Sequence, residues 1–279
     1  MQIAKGHDTI MKNIQRYIPM DSEISIIRKW YKLLPFPARY DELFEAGLKT
    51  LSFPIADRFC NNTLDNFYIA LHRCEAVADQ CRKLGIPEPI FMETLSDLVT
   101  LSNTWYSFNL QLGLAEPGWI DNHLSVRLFQ LGRLQFCMGT APLAIPLAGI
   151  LPGEPVLEVH IREGLPLTPE ECSRSVDFAR QFFPKYFPEH TFRCFVCDSW
   201  LLDPALHHFL PASSNILAFQ SRFQIEKRYP SDSRLKYLFR WDARRHNLEQ
   251  FPASSGFSNR IKTHVMAGGP LEDAIGWFL

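Results

Sequence analysis

Residues 154–204 read EPVLEVHIREGLPLTPEECSRSVDFARQFFPKYFPEHTFRCFVCDSWLLDP. The alternation of Val156, Leu157, Glu158, Val159, His160 and Ile161 predicts a strand over 155–162. Gly164 permits a sharp exit from it. Thr168-Pro169-Glu170-Glu171 then has the form of a capping box, with Thr168 as N-cap, Pro169 at the first helical position and Glu171 at the third. Cys172, Val176, Ala179, Phe183 and Tyr186 recur at helical spacing and predict a helix over 169–187 with one buried stripe. A second strand follows over 192–199. Two strands joined by a helix make a right-handed parallel crossover. Such a unit aims a helix N-terminus, a natural anion site, at the end of its first strand.

The first strand carries the candidate chemistry. Leu157, Val159 and Ile161 share one face; Glu158, His160 and Arg162 share the other. Three titratable groups on one strand face are costly unless solvated or paired. They either line a cleft, with Glu158 or His160 as proton acceptor and Arg162 attracting an anion, or form a solvated polar face with a surface ion pair. Thr168 and Glu171 already occupy exposed amides of the helix, and Pro166 donates none, so a phosphate would meet the backbone of 164–167 instead. Asp198 and Ser199 stand where the second strand ends, the position at which α/β sheets place ligands; as turn caps they have a local use too. Cys194 and Cys197 project to opposite faces of a strand, which argues against zinc and for buried structural thiols. Asp203 is placed to cap a short helix over 203–210. His207 and His208 are adjacent and read as surface residues. Arg240, Arg244, Arg245 and His246 beside Trp241 read as a solvated basic loop or a contact for the 3′-phosphate of a CoA-like ligand.

Outward from the crossover, the first 112 residues are helical in pattern. Leu64, Phe67, Leu71, Cys74, Ala78 and Cys81 predict a helix over 63–84 closed by Gly85. A second helix is predicted over 93–112, and others over 21–34 and 40–50. Pro117-Gly118 predicts a turn and a domain boundary. Residues 124–138 predict one or two strands bending at Gly132. Residues 215–227 predict a further strand, 231–240 are ambiguous, and the C-terminal segment predicts a helix, a glycine turn and a short tail.

The chain has 279 residues, 46 % hydrophobic, with a net charge of −1. That composition supplies a large core and argues against disorder and against a protein built to bind nucleic acid. The odd count of seven cysteines, an N-terminus without a continuous apolar run and the lack of a membrane-length apolar stretch predict a cytoplasmic protein with free thiols.

HIREGLPLTPEEC, FARQFFPKYFP, CDSWLLDPAL, SNILAFQSRFQI and, before them, WIDNH and RLFQLGRLQF together resemble bacterial acyltransferase-domain proteins with a GNAT-like C-terminal domain behind a helical N-terminal one. The resemblance implies an α+β fold: a helical domain over 1–115 and a mixed sheet with flanking helices over 116–279. It implies that two parallel strands splay to admit the pantetheine arm of acetyl-CoA or another acyl-CoA, and that an amine acceptor attacks the thioester directly. By that likeness Ile161, Arg162, Glu163, Gly164, Leu165 and Leu167 form the cofactor loop and strand end. Glu158, His160, Asp198 and Ser199 are the catalytic candidates, without metal, nucleic-acid or membrane partner. The usual phosphate loop, Arg/Gln-x-x-Gly-x-Gly/Ala, is not matched by 162–167, which has one glycine and a proline. No tyrosine stands at the usual general-acid position; Tyr229 and Tyr237 lie nearby in sequence. The alternative is therefore a non-catalytic ligand-sensing or interaction module that has lost the loop; a hydrolase using Ser199 with His160 is a third reading.

Overall fold

A computed structural model describes residues 20–279. Helices α1 (Met20–Leu33), α2 (Asp41–Leu48), α3 (Thr63–Lys83), α4 (Glu88–Leu95), α5 (Asp97–Asn109) and α6 (Pro117–His123) precede the sheet. Asn62 caps α3 by accepting from the amides of Leu64 and Asp65. Gly85, at φ +73°, closes it, and the Ile86 amide returns to the Cys81 carbonyl. The single helix expected over 93–112 is two helices broken at Ser96, whose hydroxyl donates to the Glu93 carbonyl. Pro117-Gly118 is not a turn but the first turn of α6, where the missing proline amide costs nothing.

The second half runs β1 (Leu128–Leu131), β2 (Leu134–Thr140), β3 (Pro155–His160), α7 (Pro169–Tyr186), β4 (Phe195–Ser199), α8 (Asn215–Gln220), β5 (Gln224–Pro230), α9 (Ser233–Leu238), α10 (Gly256–Met266) and β6 (Glu272–Phe278). Two departures from expectation matter. Residues 215–220 are helical, capped by Ser214, and only 224–230 form the strand. The expected tail is β6, which lies between β4 and β5 in a sheet ordered β1-β2-β3-β4-β6-β5. The β3–α7–β4 crossover is parallel; every other neighbouring pair is antiparallel.

One face of the sheet meets α7, where Phe129 packs against Phe182 with ring centroids 4.8 Å apart and against Phe187 at 5.5 Å. Burying each such ring contributes roughly 1.5–3 kcal/mol. This apolar cluster runs without a break from Ile27 in α1 to Ala274 in β6, so the helices and the sheet share one core. A smaller cluster of Val156, Cys194, Val196, Ile275 and Trp277 lies on the opposite face. Cys197 belongs to the first cluster and Cys194 to the second, as expected from their spacing on a strand.

Candidate active site

The parallel pair opens like a V. β3 and β4 pair only at Leu157↔Phe195 and Glu158↔Val196. Their outer edges remain paired much further, β3 to β2 as far as His160 and β4 to β6 as far as Ser199. Past Glu158 the inner edges therefore leave each other, and the polar backbone there faces an opening instead of a ladder.

Glu158, His160 and Asp198 share the polar face beside that opening. The Glu158 carboxylate lies 3.4 Å from His160 Nε2 without hydrogen-bond alignment, and Nε2 is buried with no hydrogen-bond partner among the described residues. The imidazole is held edge-on against Trp119 of α6, with ring centroids 4.8 Å apart. Glu158 extends across Gly139 of β2; a Cβ at that glycine would stand 2.3 Å from Glu158 Oε1. A cavity of about 480 Å³ adjoins, lined by Asn122, Arg127, Cys137, Gly139, Glu158 and Glu189 among others. Asp198 accepts a 2.5 Å hydrogen bond from the Tyr229 hydroxyl of β5. Burial pushes the Asp198 carboxyl above its ordinary value; Asp273 and Glu158 add to that, and the Tyr229 hydrogen bond opposes it. Burial and the Asp198 carboxylate likewise push the Tyr229 phenol up, so it stays a donor.

Arg162 does not join Glu158 and His160. β3 ends at His160, and strand alternation ends with it. The guanidinium reaches back into the helices, 3.0 Å from Asp97 Oδ1, 3.0 Å from Glu93 Oε1 and 2.9 Å from Thr100 Oγ1, with a further bond to the carbonyl that the break at Ser96 exposes. Buried Asp97 also takes 2.9 Å bonds from His123 Nε2 and Gln135 Nε2. Burial alone would raise the Asp97 carboxyl, but His123, Gln135 and Arg162 together hold it below its ordinary value.

Beyond Arg162 the loop turns through Gly164 at φ +107°. Ile161 packs against the main core, Leu167 is buried, Leu165 is 68 % exposed, and the Glu163 carboxylate accepts from Thr104 at 3.3 Å. Thr168 caps α7 by accepting from the Glu171 amide. A second cavity, about 300 Å³, is lined by Arg133, Arg162, Glu163, Gly164 and Leu165 with their neighbours. Ser199 Oγ accepts from the Leu201 amide and caps the helical turn at Trp200–Leu202; Asp203 caps the next turn.

The remaining sequence candidates lie elsewhere. Arg240 pairs with Asp242 and Arg245 with Asp232, while Arg244 donates to carbonyls of its own loop. Exposed His207 and His208 lie side by side with their rings tilted by 46°. Among the described residues no His, Cys, Asp and Glu group is placed to hold a metal ion, and no helix is long and apolar enough to cross a membrane. Sequence reasoning did not single out Trp119, Gly139, Asp97 or His123, and it named Tyr229 only as lying near the usual general-acid position. Trp119 and His123 stand within the WIDNH motif; the others had no local signal, since each meets its partner through the tertiary fold.

Comparison with known proteins adds the family. A family model described as a GNAT-like C-terminal domain matches residues 128–278. Three solved structures share the fold. An acyltransferase in complex with decanoyl-CoA and teicoplanin is 28 % identical, with a TM-score of 0.69, over 91 % of this chain and 75 % of that one. An acyltransferase with CoA and 10C-teicoplanin gives 27 % and 0.69 over the same shares. An acyltransferase with decanoyl-CoA gives 30 % and 0.67 over 76 % of this chain and 65 % of that one. No match is found among curated protein sequences. With more than half its length covered by the family model, and with the strand order and the parallel pair described above, the chain belongs to the family of proteins that carry a GNAT-like C-terminal domain.

Proposed function

We propose that this protein is an acyl-CoA-dependent acyltransferase that transfers the acyl group directly to the amine of a small-molecule acceptor. The observation that carries the reading is the V between β3 and β4 with His160 and Glu158 on its lip. An extended pantetheine arm fits such an opening because the unpaired strand edges offer it amides and carbonyls. The loop of Ile161, Arg162, Glu163, Gly164, Leu165 and Leu167 receives the donor's phosphates on its backbone, and Arg162 anchors that loop to α5 through Asp97. The three acyltransferase structures, determined with CoA or decanoyl-CoA, support the donor class.

The acceptor enters from the cavity beside Glu158, whose lining sets Glu158 and Glu189 against Arg127, a net negative balance that favours a cationic amine. After its ammonium releases one proton to solvent, the neutral nitrogen bonds the thioester carbonyl carbon. His160 Nε2 takes the second proton from that nitrogen, Glu158 orients and charges the site beside the imidazole, and the C–S bond breaks. The second proton passes from His160 to the thiolate, which leaves as free thiol. A strand amide at the opening stabilises the oxyanion. Asp198, hydrogen-bonded to Tyr229, shapes the β4 side of the V. Ser199, occupied as a helix cap, takes no part. The parted strands and the adjoining cavity favour an enzyme over a non-catalytic module.

Calorimetric titration with acetyl-, octanoyl- and decanoyl-CoA tests the donor. Micromolar binding of at least one is expected, and binding of none overturns the assignment. Thiol release on adding amines tests the chemistry; binding without release for any amine would return the protein to the sensing module.

A further inference from the structure

The loop before α7 lacks the run of glycines that lets a backbone wrap an anion, yet its amides are free. Among the described residues, no backbone partner within the chain is found for the amides of Gly164, Leu165, Leu167 or Thr168. What shapes the loop is a side chain from the β1–β2 turn. Arg133, only 6 % exposed, donates from Nε to the Pro166 carbonyl at 3.0 Å and from Nη2 to the Leu165 carbonyl at 2.5 Å. In a trans peptide the carbonyl and the following N–H point in opposite directions. With the Pro166 carbonyl held toward Arg133, the Leu167 amide is turned away from it, outward at the mouth of α7.

Arg133 is itself fixed in place. Gly132, at φ +71°, and Arg133 form the two-residue turn between Leu131 and Leu134. Ser175 of α7 accepts from the Arg133 amide at 2.7 Å and from the Leu134 amide at 3.3 Å, and donates to the Glu171 carbonyl. The helix thus holds the turn that holds the loop leading into the helix.

The charge has no counterpart. Among the described residues no carboxylate lies within ion-pair distance of Arg133, whereas its neighbour Arg162 has two. A second arginine, Arg222 between α8 and β5, reaches the first turn of α7 from elsewhere in the fold, donating to the Pro169 carbonyl and Ser173 Oγ; its Nε is buried and unpartnered, and it too has no ion pair. A buried cation bonded only to carbonyls is costly in isolation. Arg133, with the half-buried Arg222 beside it at the helix start, creates a positive field that an anion would relieve. Of the acidic groups nearby, Glu171 pairs with Arg174, Glu93 with Arg162, and Glu163 accepts from Thr104, while Glu170 in the first turn of α7 is exposed to solvent.

We propose that Arg133 is a positioning residue for the phosphates of the donor: it clamps the Leu165 and Pro166 carbonyls, turns the Leu167 amide away from itself and supplies uncompensated charge behind the loop, in place of a glycine-rich loop. This rests on the acyl-CoA reading above. The test compares decanoyl-CoA with decanoyl-pantetheine, which keeps the acyl chain and arm but lacks the nucleotide phosphates. Arg133→Gln is expected to weaken decanoyl-CoA about tenfold or more, the scale of a charge-assisted hydrogen bond, and to leave the Kd for decanoyl-pantetheine unchanged. Arg133→Lys, with the charge but no fork, is expected to fall between, and it carries the same comparison should the glutamine variant not fold. Equal weakening of both donors, or weakening of neither, overturns the role of Arg133 while leaving the donor assignment standing. Failure of the unaltered protein to bind decanoyl-CoA would remove the donor assignment itself, and the positioning role with it.

Discussion

Glu158, His160 and Arg162 follow one another at every second residue, yet they end in two very different surroundings. Arg162 enters a closed cluster. Asp97 meets Arg162, His123 and Gln135, and His123 Nδ1 faces the Trp119 carbonyl at 3.2 Å. Glu158 and His160 stay on the sheet face at the V, where His160 Nε2 has no hydrogen-bond partner among the described residues and neighbouring Asp198 is shifted upward by burial. A cluster with its charges matched holds parts together. A cluster that keeps a buried nitrogen free is prepared to meet something else. Trp119 touches both, its ring against His160 and its carbonyl facing His123, so the closed cluster sets the orientation of the open one.

The sharpest way to break this contrast is to remove one group from each side. His160→Ala is expected to lower kcat by about 10²–10⁴, the usual contribution of a positioned acid–base group, while the melting temperature stays nearly unchanged. Steady-state thiol release and thermal melting check it, and a large loss of stability would place His160 with the closed cluster. Asp97→Ala should do the reverse. It leaves the Arg162 charge partly unpaired at a buried site, for which a loss of about 3–5 kcal/mol is typical. Chemical denaturation reads that directly; a loss below about 1 kcal/mol, the scale of an exposed ion pair, would show that the cluster is not what joins β3 to the helices.

Two aspartates sharpen the contrast through pH, because they shift in opposite directions. The folded Asp97 carboxyl lies below its unfolded value of 3.8. The stability it contributes is present above that value and is lost as pH falls through its folded pKa. Asp97→Asn should therefore lower the melting temperature at neutral pH and flatten its decline in acid. The folded Asp198 carboxyl lies above 3.8. Its ionisation opposes folding at pH values above the shifted pKa, and that penalty disappears as pH falls below the unfolded value. Asp198→Asn should raise the melting temperature modestly at neutral pH and give no gain at the acid end. Melting curves across pH 3–8 test both; the same sign for the two substitutions would erase the distinction.

The sequence was most legible where signals are local. The Thr168 N-cap, the alternation over 156–160 and the Gly132 turn each act over a few residues and appear where expected, although the capping box is only half made, because Glu171 turns to Arg174 instead of to the Thr168 amide. It was least legible where pairing is remote. β6 reads as a tail because DAIGWF follows two glycines and a proline, and its identity comes only from β4 and β5 on either side. Residues 215–220 form too short an apolar run for periodicity to separate helix from strand, although Ser214 offered a cap. In the site, alternation placed Glu158 and His160 together but carried Arg162 one step too far, past the end of the strand. The counter-charges that draw Arg162 away, Asp97 and Glu93, lie some 65 residues earlier in the chain, beyond any local pattern.

The smallest expected effect probes the open cluster from its neighbour strand. Gly139 has no side chain where Glu158 lies across β2, and an added Cβ would stand 2.3 Å from the carboxylate oxygen. The conflict is with the Glu158 side chain from Cγ outward, not with backbone, so the fold should accommodate Gly139→Ala, once that side chain changes rotamer, with a change in stability of less than about 1 kcal/mol. Glu158 must swing, and its new position is no longer beside His160 Nε2. If Glu158 acts by orienting and charging the site around the imidazole, kcat should fall several-fold, the pH–rate profile should shift, and the Kd for acyl-CoA should hold, since the donor loop lies on the far side of the strand. Adding Glu158→Gln to Gly139→Ala should then cost little more than either change alone, because both remove the same contact. Additive losses would mean that Gly139 acts on the acceptor cavity, and that the open cluster extends beyond the Glu158–His160 pair.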